Sequence, residues 1–66
     1  MFESLRVEEN YRVKIFHIGG FLSEEYNIRK TFSGLQQHVR NLQRDKNNYE
    51  IEVYKNNELV VNFINY

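Results

Sequence analysis

The 66-residue chain contains nine Lys and Arg residues against nine Asp and Glu residues, so its formal net charge is zero, and it has no cysteine. This balance excludes a bulk attraction for nucleic acid or an anionic membrane, and any such attraction has to be local. The lack of cysteine excludes disulfides and thiolate zinc sites, and small domains without these supports often rely on self-association or a partner.

One domain over residues 1–66 is predicted, because no repeat or flexible linker divides the chain. Residues 1–9 are interpreted as a lead-in. They lack a basic start followed by an apolar run, and no uninterrupted apolar stretch approaches the length of a membrane span. We therefore expect a cytoplasmic protein with no membrane contact.

A first strand is predicted over residues 11–18, where β-branched residues are enriched and side chains alternate. Its inner side would carry Val13 and Ile15. Gly19 and Gly20 follow directly, and a pair of glycines is typical of a turn. The strand is therefore expected to end there.

One long helix is predicted over residues 23–45. Ser23 resembles an N-cap, and Glu24 and Glu25 would lie in the first turn, where acids favour the helix dipole. Five apolar residues then recur at steps of four and three, which places them on one stripe of a helix: Ile28, Phe32, Leu35, Val39 and Leu42.

A C-terminal hairpin is predicted from strands at residues 49–54 and 58–65. A two-residue turn would put carboxylates on the same face as Val61 and Phe63, which is unfavourable. A three-residue loop over 55–57 avoids this and gives one wholly apolar face. The α+β fold that results is a three-stranded mixed sheet in the order β-α-β-β along the chain, with the helix packed on one face. The spatial order of the strands stays open.

The sheet face away from the helix would then carry large apolar groups without a cover, a feature that marks an interface. The alternative is that residues 1–9 fold back over it. If it is free, we expect a protein partner or a second copy of the chain to bind there, with these contact residues: Phe16, Tyr54, Val60 and Ile64.

A second candidate surface is a basic face of the predicted helix, with no acid between its first and last members. It would suit phosphates, RNA or an acidic protein, although a solvated face is the commoner explanation. A nucleic-acid-binding domain is therefore the alternative function, and a structural subunit of an oligomeric assembly is a third. The residues of this face are Tyr26, Arg29, Lys30, Arg40 and Arg44.

No motif for catalysis or for a cofactor is present. Gly19 and Gly20 lack the spacing of a phosphate-binding loop, and Glu24 would repel a phosphate from the helix start. His17 and His38 are far apart and lack the spacing of a metal site. The sequence therefore favours a non-enzymatic protein without metal or cofactor.

The passage GGFLSEE follows the first strand and precedes a single helix and a hairpin. In this layout, and in its Gly-x-Phe-x-x-Glu pattern at Gly19 or Gly20, Phe21 and Glu24, the chain resembles the Dmd family of small phage antitoxins. The resemblance implies a phage or mobile-element inhibitor in the host cytoplasm, which blocks a toxin or defence protein by covering its surface. It transfers no individual binding residue to this chain.

Overall fold

The computed structural model describes residues 7–65, which form four strands and one helix. The elements in chain order are β1 (Glu9–His17), β2 (Leu22–Lys30), α1 (Phe32–Gln43), β3 (Asn48–Lys55) and β4 (Glu58–Ile64). The prediction of a three-stranded mixed sheet with a long helix is therefore wrong. The sheet has four strands, every neighbouring pair in it is antiparallel, and the helix has 12 residues.

The strands lie side by side in the order β2-β1-β3-β4, so β1 and β3 form the centre and β2 and β4 the edges. The predicted parallel pairing between the first strand and the strand after the helix does not occur. Because β2 already returns the chain alongside β1, the helix crosses back and delivers β3 antiparallel to β1 on its other side.

The first third of the predicted helix is a strand instead. In β2, the partly buried Tyr26 and Ile28 alternate with exposed Glu25, Asn27 and Arg29, which is the two-residue period of a sheet. Ile28 lies four residues before Phe32, so its spacing also suited a helix. Pairing with β1 along nearly the whole of β2 decided between the two structures.

Thr31 is the N-cap of helix α1, and its side-chain oxygen accepts a hydrogen bond from the Gly34 amide at 3.1 Å. Leu35 and Val39 are its buried residues. Beyond its end, the side chain of Asn48, itself buried, donates to the Leu42 carbonyl at 2.8 Å. The same carbonyl also accepts from the Asp45 amide at 3.2 Å, so the Asn48 side chain adds a second bond to the last turn of the helix.

The core lies between α1 and the two central strands. Its buried members are three β1 residues, two β3 residues and two helix residues: Tyr11, Val13, Ile15, Ile51, Val53, Leu35 and Val39. Partly buried apolar residues of the edge strands extend it on both sides. One face of the sheet is thus covered by the helix, and the other, the open face, has no cover among residues 7–65.

The turn of the C-terminal hairpin has two residues, so the predicted three-residue loop is wrong. Lys55 pairs with Glu58, so the turn is the two-residue pair Asn56 and Asn57, with φ of 52° and 66°. Positive φ at both positions is typical of the hairpin turn that matches strand twist. The register then shifts by one residue at Val60, so Val61 and Phe63 still face the helix with Val53 and Ile51.

Candidate partner-binding surfaces

The turn between β1 and β2 depends on two glycines and is closed by backbone hydrogen bonds. Gly19 and Gly20 adopt φ of 103° and 82°, values that side chains disfavour. The Gly20 amide donates to the His17 carbonyl, and the His17 amide donates to the Phe21 carbonyl, each at 3.0 Å. These bonds close the loop and point the flanking side chains outward.

Around this turn lies an exposed group of large apolar side chains, which we call the apolar end: Ile18, Phe21, Leu22 and Tyr49. Phe21 is 76% exposed and Ile18 70%, although each would gain by leaving water. Ile18 and Tyr49 share a shallow depression of about 470 Å³ with Lys46 and Asn65. The apolar end therefore continues from the turn onto the start of β3.

Sequence reasoning missed this surface because it assigned Phe21 and Leu22 to the approach of a helix. A signal was present in the pair of adjacent glycines with large apolar residues on both sides, in Ile18–Gly19–Gly20–Phe21–Leu22. Two strands joined by two glycines would have placed these residues at a hairpin tip. At a tip, few neighbours remain to cover them.

Much of the open face consists of charged side chains that have an oppositely charged neighbour on the next strand. Lys14 lies between Glu25 and Glu52 as a cross-strand neighbour, and its Nζ is 5.1 Å from the centre of the Tyr54 ring. The Tyr54 hydroxyl donates to Glu52 at 3.0 Å, and this bond is the main reason why the pKa of Tyr54 is raised. Tyr54, a predicted contact residue, therefore already interacts with Glu52 and Lys14 within the chain.

The other predicted residues of the sheet contact are dispersed. Phe16 and Ile64 lie in one row of the open face, but Glu50 stands between them. Val60 lies at the register shift of β4, where it has no cross-strand partner on β3, and it is 39% exposed. The structure therefore does not join these residues into one apolar patch. The proposed cover by residues 1–9 falls mainly on residues outside the described range 7–65.

The predicted basic helix face is not formed, because its members belong to different elements. Tyr26, Arg29 and Lys30 lie on β2, whereas Arg40 lies on α1 and Arg44 caps its C-terminus. Arg29 also lies 3.6 Å from a Glu8 carboxylate oxygen. The nucleic-acid alternative therefore loses the single helical surface on which it was based.

Tyr26 instead packs against the helix. Its hydroxyl bonds to Nε2 of His38, and the two rings meet edge to face with centroids 5.8 Å apart. Burial is the main cause that lowers the pKa of His38, with the positive charge of Lys30 second. Burial likewise raises the pKa of Tyr26, with Glu24 second. The lowered pKa of His38 favours its neutral form, whose Nε2 can accept a hydrogen bond that the Tyr26 hydroxyl donates.

This contact predicts a loss of stability in mild acid. Since the folded state lowers the pKa of His38, the unfolded chain binds that proton more readily. The stability that neutral His38 contributes should be fully present above about pH 6.5, the ordinary pKa of histidine. It should be lost as the pH falls through the lower pKa of His38 in the folded chain. Urea unfolding between pH 8 and 5 measures this slope. His38→Gln should flatten it and the control His17→Gln should not, and an unchanged slope in His38→Gln would contradict the assignment.

Residues 7–65 contain no cluster of three or more metal-ligating side chains. A second depression, of about 310 Å³, lies on the open face and is lined by polar side chains that include Arg12, Lys14 and Asn27. No helix in the described range is long and apolar enough to cross a membrane.

The chain was compared with protein-family models, with curated proteins and with solved structures, and none of them matches it. The class of protein is therefore defined by the fold itself. It is a small α+β domain in which one helix covers one face of a four-stranded antiparallel sheet.

Proposed function

We propose that this chain is a non-enzymatic protein-binding module that acts by occupying the surface of a partner. The observation that carries the proposal is the apolar end, where Ile18, Phe21 and Leu22 are each more than half exposed. Contiguous exposed apolar groups are a feature of interaction sites, and aromatic residues dominate the binding energy at such sites.

The glycine turn supports this role because the Phe21 ring packs against its backbone. A Cβ at Gly19 would come within 3.1 Å of the Phe21 ring, so the ring lies directly against the turn backbone. A side chain whose rotamers are restricted by a neighbouring backbone loses less conformational entropy on binding than a free one. The partner that suits it is a protein with an apolar pocket wide enough for one aromatic ring.

The biological role that we propose is that of an inhibitor, similar to a phage antitoxin, which covers the working surface of a toxin or defence protein. The Gly-x-Phe-x-x-Glu resemblance motivates this role, and Phe21 of that passage lies in the apolar end. Inhibition by coverage needs only an interface, since no chemical group has to be supplied.

The test is capture of partners from the lysate of a candidate host by the immobilised chain, quantified by mass spectrometry. The double variant Ile18→Ser/Phe21→Ser should bind the captured protein on the order of 10- to 100-fold more weakly, as expected for a contact of about 1.4–2.8 kcal/mol. Its stability should change little, because exposed positions contribute little to folding.

The matched control is Leu59→Ser/Val60→Ser, which alters two exposed apolar residues near the other hairpin turn. It should retain capture. Equal capture by both double variants would contradict the role of the apolar end. A gel shift at low salt, compared with the Arg40→Glu/Arg44→Glu variant, tests the nucleic-acid alternative, which predicts binding that this variant abolishes.

A further inference from the structure

Strand β2 is an outer edge of the sheet, and within residues 7–65 no strand pairs with its free side. An exposed edge presents unpaired amides and carbonyls that can pair with another strand. Edges are commonly protected by charges or by irregularities. The order of the charges on β2 instead favours pairing with one partner, an antiparallel second copy of the same strand.

The charges of β2 are arranged symmetrically about Asn27 but with opposite sign on its two sides. Two acids precede it, two bases follow it, and an apolar residue stands on each side: Glu24, Glu25, Tyr26, Asn27, Ile28, Arg29 and Lys30. When two copies of this strand run antiparallel with Asn27 opposite Asn27, Glu24 faces Lys30 and Glu25 faces Arg29. Two-fold symmetry makes each of these pairs twice.

From this order we propose that the chain forms a two-fold homodimer in which the β2 strands of two copies pair antiparallel about Asn27, giving one continuous eight-stranded sheet. Directly opposite side chains share a face, so Tyr26 of one copy meets Ile28 of the other on the helix side. Both residues are only partly buried in the single chain, and this contact extends the core across the interface.

The charges select this register over its neighbours. Side chains alternate between faces, so only a slide of two residues keeps both helices on the same side of the sheet. Sliding by two in either direction removes every opposite-charge pair, because Glu24 then faces Ile28 or lies beyond Lys30. A parallel arrangement would bring like charges together. The ion pairs that Glu25 and Arg29 make within the chain are long and exposed, at 3.7 and 3.6 Å, and leave both groups available.

The other edge, β4, is a poorer candidate for the same pairing. Its register shift at Val60 interrupts the regular spacing of backbone groups along the strand. Its single charged residue, Glu58, would select no register. By contrast, β2 is regular from Glu24 to Lys30 against β1, since its one irregularity lies at Ser23.

A single cysteine tests the register directly, because the chain has none of its own. Directly opposite residues of antiparallel strands have Cα atoms about 4.5–5.5 Å apart, which is within disulfide range. Asn27→Cys should therefore form a disulfide-linked dimer under mild oxidation. The control Ser33→Cys, exposed on α1, should not. Linkage of Asn27→Cys that is no faster than that of the control would overturn the proposal.

Charge exchange tests the pairing rule in solution. Sedimentation should give the native chain twice the mass of its 8.1 kDa monomer. Glu24→Lys/Glu25→Lys should be monomeric, and so should Arg29→Glu/Lys30→Glu, because each places like charges opposite each other. An equimolar mixture of the two should restore a dimer, since every opposing pair is then attractive. A monomeric native chain, or a mixture that stays monomeric, would overturn the proposal.

This dimer goes beyond the proposed function and is independent of it. Antiparallel pairing through β2 directs the two apolar ends away from each other, so Phe21 of each copy stays free. The charge variants should therefore still capture a partner, and Ile18→Ser/Phe21→Ser should still dimerise. Failure of one proposal thus leaves a different pattern from failure of the other.

Discussion

Leu35→Ala is expected to reduce the free energy of unfolding by about 2–5 kcal/mol, the range for removing a fully buried leucine side chain. Leu35 is 0% exposed. It belongs to the only helix of the described range, and it lies in the core that this helix forms with the central strands. A chain of this length has a total stability of roughly 3–10 kcal/mol. The loss is therefore a large fraction of the total, and it would unfold the chain at 25 °C if the stability of the native chain lies at the lower end of that range.

Urea unfolding followed by far-ultraviolet circular dichroism measures this loss. The matched control is Gln36→Ala, the next residue on α1, which is exposed and should change stability by less than about 0.5 kcal/mol. A loss below about 1 kcal/mol for Leu35→Ala would mean that the helix does not pack on the sheet as described.

Gly19→Ala is expected to cost about 1–3 kcal/mol, because a φ of 103° is strained for any residue with a side chain. The added Cβ would also meet the Phe21 ring at 3.1 Å and displace it. The same variant should therefore weaken partner capture as well as folding. Urea unfolding measures the first effect, and the capture assay measures the second.

Gly20→Ala is the comparison for this variant. Gly20 also has a positive φ, 82°, but a Cβ there meets no atom within 4 Å. It should destabilise the turn through the backbone alone and leave the Phe21 ring in place. If Gly20→Ala reduces capture as much as Gly19→Ala at equal folded fraction, the seating of Phe21 on Gly19 does not matter for binding.

The candidate binding surface could be predicted from the sequence only in part. The Gly19–Gly20 pair indicated a turn, and the neighbouring Phe21 and Leu22 are visibly apolar. Whether such residues are buried depends on what lies opposite them, and a helix beginning at Ser23 would have buried part of this segment. The polar character of the open face was hidden for the same reason, since the partners of Lys14 and Tyr54 depend on strand order.

The assignment of β2 shows why local patterns were insufficient. Ser23, Glu24 and Glu25 suit a helix start, and Ile28 lies at helical spacing from Phe32, yet Tyr26 and Ile28 equally suit one face of a strand. Strand pairing is a long-range interaction, and backbone bonds to β1 outweigh a small difference in intrinsic preference. The helix therefore begins only after Thr31, which supplies a capping oxygen at the point where the pairing with β1 has ended.

By itself, the sequence determined the elements whose side-chain period permits one structure only: the alternation of Val13 and Ile15 in β1, that of Ile51 and Val53 in β3, and the helical stripe from Phe32 to Leu42. Only the tertiary structure decided that residues 22–30 form a strand, which neighbours each strand has, and which apolar side chains stay exposed. Periodicity is a property of adjacent residues, whereas pairing and exposure depend on residues that are distant along the chain.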